Sequence, residues 1–396
     1  MMLPFPLRMK YPRILTATVL ALSFLKASAA TDQWVYIGTY TQGSYSTGDA
    51  APLLSKGIYL LGLDSQTGKL EELGPVGGVL QPAFLAIHPS KKYLYAVSEF
   101  DGGGQIHSFQ IDPANGHLTP LNSQATLGDA TCHVNIDATG KMAVVASYSN
   151  GTVASFPIKE DGSLAPIASL IRHSGGSHAD EDRQEDPHAH SVNFDKGNKF
   201  AFAADLGCDK IFIYKMDPTT AALIPNDPPF VATPPAGGPR HFAFHPSGKF
   251  AYVTNEMACT ITSFTYDAEK GALKVMETLS ELPAGVSVIP EWSSAEVQVH
   301  PSGKFVYASV RGHNTLACYK VDEATGKLTY LENAPAGVKI PRNFGIDPTG
   351  HWLISAGFDS DSVVVFSIDA QTGKLTPTGQ SITIPQPVCV KFLKRS

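Results

Sequence analysis

One hexapeptide constrains this chain more than any other feature, because it keeps returning. His245-Pro246-Ser247-Gly248-Lys249-Phe250 reappears as His88-Pro89-Ser90-Lys91-Lys92-Tyr93 and as His300-Pro301-Ser302-Gly303-Lys304-Phe305. Looser copies begin at Asp137, Asp195 and Asp347. Each copy lies between two short apolar runs. Proline presets the first turn residue and glycine accepts the positive φ that closes a tight hairpin. Successive copies start 49, 58, 50, 55 and 47 residues apart. A period of about fifty residues marks a repeat architecture.

A second signature alternates with the first. Asp64-Ser65-Gln66-Thr67-Gly68-Lys69-Leu70 returns at Asp112, Asp217, Asp267, Asp322 and Asp369, with a shorter form at Glu160-Asp161-Gly162-Ser163-Leu164. Runs rich in β-branched and aromatic residues precede these copies, such as Ile211-Phe212-Ile213-Tyr214 and Val363-Val364-Val365-Phe366. A polar, edge-like strand follows each one. One unit therefore holds four strands, here called a, b, c and d, and such a unit is a propeller blade. Seven c–d signatures against six a–b turns predict an all-β, seven-bladed propeller with four antiparallel strands per blade. The unmatched strands are Trp34 to Tyr40 at one end and Pro387 to Phe392 at the other. The C-terminal strand is expected to complete the first blade and remove an open sheet edge.

The first 29 residues are expected to stand apart as a signal peptide. Arg8, Lys10 and Arg13 precede a twelve-residue apolar run, Ile14 to Leu25, and Ala27-Ser28-Ala29 suits a cleavage site. Twelve residues are too few to cross a bilayer, which takes about twenty, and the layout is that of an exported protein. Residues 30–396 then form one propeller domain, periplasmic or secreted, with no membrane association after cleavage. The chain carries a net charge of −6, and loss of the basic leader makes it more negative. Without a basic stripe it is a poor partner for nucleic acid. The five cysteines are odd in number and widely spaced, which indicates buried small residues rather than disulfides or a zinc site. No cofactor and no metal are expected, and a monomer is.

The a–b and c–d turns are short and stereotyped, and they share one face of the ring. The connections on the other face vary, and variable loops on a rigid scaffold are where sites are placed. Measured from the start of each a–b turn, position −5 is Ala83, Cys132, His190, Arg240, Ala295 and Arg342. Position +11 is Glu99, Tyr148, Leu206, Glu256, Arg311 and Phe358. Charged side chains at inner positions are costly unless paired or functional. His190, Arg240, Glu256 and Arg311 come from consecutive blades, with Arg342 one blade further. The long stretch 172–190 of the same region, with four histidines and five carboxylates, is expected to be a solvated lid ending in His188 and His190. Tyr148 and Arg342, with His133 and Asn343 next to ruler positions, are expected to bind substrate.

These residues carry a resemblance. Tyr36-Ile37-Gly38-Thr39-Tyr40-Thr41, Pro187-His188-Ala189-His190-Ser191, Gly238-Pro239-Arg240-His241, Asn255-Glu256 and the Arg311 strand end resemble the lactonase family of seven-bladed propellers. That family holds bacterial propeller-type 6-phosphogluconolactonases and the fungal carboxy-cis,cis-muconate cyclase. The resemblance implies a catalytic histidine, two arginines and a glutamate. By motif these are His188 or His190, Arg240, Arg311 and Glu256. It implies hydrolysis of a sugar lactone, with Glu256 or a histidine as general base and the arginines holding negative oxygen. A muconate-type ring closure and a non-catalytic exported propeller that binds a carbohydrate or protein are the alternatives.

Overall fold

The structure is a computed structural model that describes residue 1 and residues 31–42, 54–100 and 102–395. Residues 2–29 of the expected leader lie outside the described residues. Among those described, no helix is long and apolar enough to cross a membrane.

Seven sheets of four antiparallel strands account for the strands from Gln33 to Lys394. The first sheet takes its innermost strand from the far end of the chain. Pro387–Lys394 pairs with Gln33–Thr39 in an antiparallel register that sets Val35 opposite Phe392 and Ile37 opposite Val390. The inner strands then touch in sequence around the whole ring, including Pro341–Ile346 with Pro387–Lys394 and Pro387–Lys394 with Pro82–Ile87. The outer strands, such as Leu118–Ala125, mix exposed residues with buried and half-buried ones. The b strands, by contrast, are buried nearly throughout. This is the pattern of a sheet stacked on both faces near the axis and wet at its rim.

The repeated turns prove to be fasteners between blades. His88, His245 and His300 each place Nε2 2.8 Å from the carbonyl oxygen of Gly140, Gly303 and Gly350, in the a–b turn of the next blade. Each also holds a serine two residues on through Nδ1. The c–d turns are caught in the same way. Tyr36, Tyr95, Tyr252 and Tyr307 donate their hydroxyls to the carbonyls of Gly116, Gly162, Gly326 and Gly373 of the following blade. Trp352 closes the circle by donating Nε1 to Ser65 of the first blade. The indole lies against Gly68, whose φ is +70° and where a Cβ would meet the ring at 2.5 Å. That position needs glycine for both reasons. The apolar side chains gather into clusters between adjacent blades, and all five cysteines are buried and free.

Candidate active site

The first six inner strands share an irregularity that shapes the axis. Pairing of strand a with strand b slips at Ala83, Cys132, His190, the Arg240–His241 pair, the Ala295–Glu296 pair and Arg342. An extra residue in one strand re-aims side chains and ends the simple in–out alternation. Two rows therefore line the channel. The upper row reaches the face of the variable loops, and the lower row, with Phe84, His133, His241, Glu296 and Asn343, lies beneath it.

Glu256 sits at the centre of the upper mouth and is 5% exposed. Arg183 Nη2 donates to its Oε1 at 2.9 Å. Arg311 Nη2 lies 3.0 Å from its Oε2, and Arg240 Nε lies 2.8 Å from the same oxygen. The Arg240 contact is a close ion pair too bent for an aligned hydrogen bond. His190 Nε2 stands 3.9 Å from Oε2. Burial alone would raise the Glu256 pKa, but the guanidiniums of Arg311, Arg240 and Arg183 hold it well below the ordinary carboxylate range. Glu256 is therefore an anion that gathers three cations, and a carboxylate so stabilised is a weak base.

His190 has the opposite character. Burial first, then the nearby charges of Arg240 and Arg342, push its pKa well below the ordinary imidazole value. It is a neutral ring at pH 7, with Nε2 turned toward Glu256 and Nδ1 toward the Cys132 thiol at 3.7 Å. Burial, Arg311 and Arg342 lower Arg240 to about 10. Arg240 also donates Nη1 to the Ala295 carbonyl at 2.6 Å.

Above these groups lies a cavity of about 120 Å³, lined among others by Tyr40, Glu99, Tyr148, Arg183, Arg311 and Arg342, with His190 and Glu256 at its floor. The Tyr40 hydroxyl donates to Glu99 at 2.6 Å and accepts from Arg342 at 2.7 Å. The Nε of Arg311 is buried without a hydrogen-bond partner. The pocket thus offers one neutral imidazole and several arginines around a small space.

Of the expected catalytic residues, His190, Glu256 and Arg311 line this cavity, and Arg240 braces Glu256 from below. His188 stands aside. Its Nδ1–H donates to the Tyr148 carbonyl at 2.9 Å, and its ring stacks on Tyr148 at 4.4 Å. Tyr148 and Arg342 line the pocket, and His133 and Asn343 do not. Both belong to the lower row, where His133 stacks on Phe84 at 4.1 Å and Asn343 donates to Glu296. The slip in strand pairing is the reason, since it separates each of them from the ruler residue before it.

The stretch 172–190 is more firmly tied than a solvated lid. Buried Asp205 accepts from His173 Nδ1, from the His188 amide and from the Cys208 amide. Gln184 is buried and donates to the Leu206 carbonyl at 2.8 Å. Its carboxylates Glu181, Asp182, Glu185 and Asp186 remain exposed. Arg183, which reaches from this stretch to both Tyr148 and Glu256, escaped sequence reading. So did Tyr40. Glu99 stood at a ruler position without being singled out.

Comparison with known proteins agrees with this architecture. The family model "Lactonase, 7-bladed beta-propeller" matches residues 34–392. A 6-phosphogluconolactonase of Bacillus subtilis is 34% identical over 359 residues, which span 90% of this chain and 97% of that protein. The structure of the periplasmic gluconolactonase of Pseudomonas aeruginosa superposes with a TM-score of 0.84 at 31% identity, over 92% of this chain and 99% of that one. A putative 6-phosphogluconolactonase of Bacteroides fragilis gives 0.83 at 32% identity, over 93% and 99%.

Proposed function

This chain belongs to the lactonase family of seven-bladed β-propellers, and we propose that it hydrolyses a sugar lactone of the 6-phosphogluconolactonase type. The observation that carries the reading is a neutral His190 beside an anionic Glu256 that holds Arg183, Arg240 and Arg311 around one small cavity.

The chemistry follows from that arrangement. A water between His190 and the lactone loses its proton to Nε2 as its oxygen attacks the carbonyl carbon. Negative charge gathers on the former carbonyl oxygen, where the guanidiniums of Arg311 and Arg342 stabilise it. The bond from that carbon to the ring oxygen then breaks. Protonated His190 returns its proton to the leaving oxygen, and the open hydroxy acid then releases its carboxyl proton to solvent. Glu256 acts by holding the guanidiniums in place. His188 supports the site through Tyr148.

The lactonase named as periplasmic among the solved structures and the leader-like N-terminus both favour work outside the cytoplasm. We take the unit to be the closed single ring, and light scattering on the purified protein checks that it is a monomer. The deciding assay follows acid release from δ-gluconolactone and its 6-phosphate at constant pH, above the spontaneous rate. Glu256→Gln is expected to lose a hundredfold or more in kcat/KM while remaining folded. Turnover near the wild-type value in that variant would discard the proposed site.

A further inference from the structure

The mouth of the ring has two arcs. His190, Arg240, Glu256 and Arg311 come from the fourth, fifth and sixth blades, and the chemistry assigned above draws on them. The seventh, first and second blades supply the other arc, with Arg342, Tyr40 and Glu99 on the same cavity. Glu99 has no part in that chemistry. Anionic oxygen beside the place where a lactone oxyanion gathers opposes the reaction, unless the carboxylate binds something on the substrate.

One oxygen of Glu99 is engaged and the other is open. Oε2 accepts the Tyr40 hydroxyl at 2.6 Å. Oε1 stands 3.6 Å from Arg342 Nη2, an ion pair too long for a hydrogen bond. Among the described residues Oε1 accepts no hydrogen bond, yet it is not sealed from water, and the side chain keeps 14% of its surface open. Glu256 differs, since Arg183 takes its Oε1 while Arg311 and Arg240 crowd its Oε2. Tyr40 fixes the arrangement on this arc, because the hydroxyl that donates to Glu99 also accepts from Arg342 Nη2 at 2.7 Å.

Arg342 and Glu99 thus set a donor and an open acceptor 3.6 Å apart on the cavity wall. Guanidinium N–H groups only donate, and an ionised carboxylate only accepts. A carbonyl oxygen fits the first. A hydroxyl on the neighbouring carbon fits the second, because the two oxygens of an O=C–C–OH group lie side by side. The Arg342 charge disfavours a cationic donor at the same place. A neutral hydroxyl meets no such penalty, and its bond to a carboxylate is short and charge-assisted.

We propose, on the lactonase reading, that Glu99 is a specificity-determining residue whose Oε1 accepts from the hydroxyl on the carbon next to the lactone carbonyl, while Arg342 holds the carbonyl oxygen. The substrate class is thereby narrowed to 2-hydroxy lactones.

The test compares δ-gluconolactone with 2-deoxy-δ-gluconolactone, which lacks only that hydroxyl, at constant pH and ionic strength. Each kcat/KM is divided by the spontaneous hydrolysis rate of the same lactone, which removes the hydroxyl's own effect on the carbonyl. For the wild type the corrected values are expected to favour δ-gluconolactone at least about tenfold. Glu99→Leu should bring that ratio close to one. If Glu99→Leu fails to fold, Glu99→Gln is measured in its place. Its neutral acceptor bonds a hydroxyl roughly half as strongly as a carboxylate does, so the ratio should fall at least about threefold. A wild-type ratio near one overturns the proposal. So does a variant that lowers both values and keeps their ratio, which is what a residue that only shapes the pocket would do. Turnover of neither lactone by the wild type is a different outcome, and it removes the lactonase reading together with this assignment.

Discussion

His190 and Glu256 show how neighbours divide labour between two titratable groups. Both are almost fully buried, yet burial and charge act together on the imidazole and against each other on the carboxylate. Arginines beside a histidine disfavour its cation, whereas the same arginines favour the glutamate anion. On the proposed reading the base is therefore the histidine. His190→Gln should lower kcat by a hundredfold or more, with KM changed much less, as steady-state kinetics would show. The sign of the pH dependence follows. Acid removes activity by protonating His190, and because its pKa is depressed the loss begins well below pH 6.5. The acid limb of kcat/KM should be absent between pH 6.5 and 8. An acid limb centred near 6.5 would mean that a solvated histidine is at work.

Between elements, the repeated turns transmit order from blade to blade. Tyr252 donates to the Gly326 carbonyl from a buried position. Tyr252→Phe removes one such bond and leaves the ring packed, so a loss of about 1 kcal/mol is expected in denaturant unfolding. Activity should hardly change, since Tyr252 is far from the mouth-lining set. Glu281 joins adjacent blades in another way. It accepts from Thr254 at 2.7 Å and from Ser294, and burial pushes its pKa to about 7. A folded pKa above the unfolded value means that the native state binds the extra proton. That contribution is complete below about pH 4.5 and is lost as pH rises through about 7. Glu281→Gln should thus gain on the wild type between pH 5 and pH 8, by up to about 3 kcal/mol. Melting temperatures at the two pH values check this, and a constant difference would refute it.

For the ring as a whole, the seam between the first and last strands of the chain is the decisive joint. Without residues 387–396 the first blade lacks its inner strand, and Pro82–Ile87 and Pro341–Ile346 both lose their neighbour on the axis. Such a truncation should abolish cooperative melting and deplete soluble protein. A truncated chain that keeps a native melting transition would show that closure matters little. The seam also serves the site, since Val388 packs with Tyr40 and Ala83 at the mouth.

Blade number, strand order and closure were all legible in the sequence, because hairpin turns need specific residues at fixed spacing and strands alternate with period two. His190, Glu256, Arg311 and Arg342 could be found with a ruler for the same reason. Arg183 could not, since its position depends on how Asp205 and Gln184 fold an irregular stretch back over the mouth. His133 and Asn343 were misplaced because a slipped strand pairing moves a side chain to another level of the axis without altering the count of residues. Local chemistry writes the repeat into the chain. Which side chains share a cavity is decided only when seven sheets pack and the irregular segments between them find their hydrogen-bond partners.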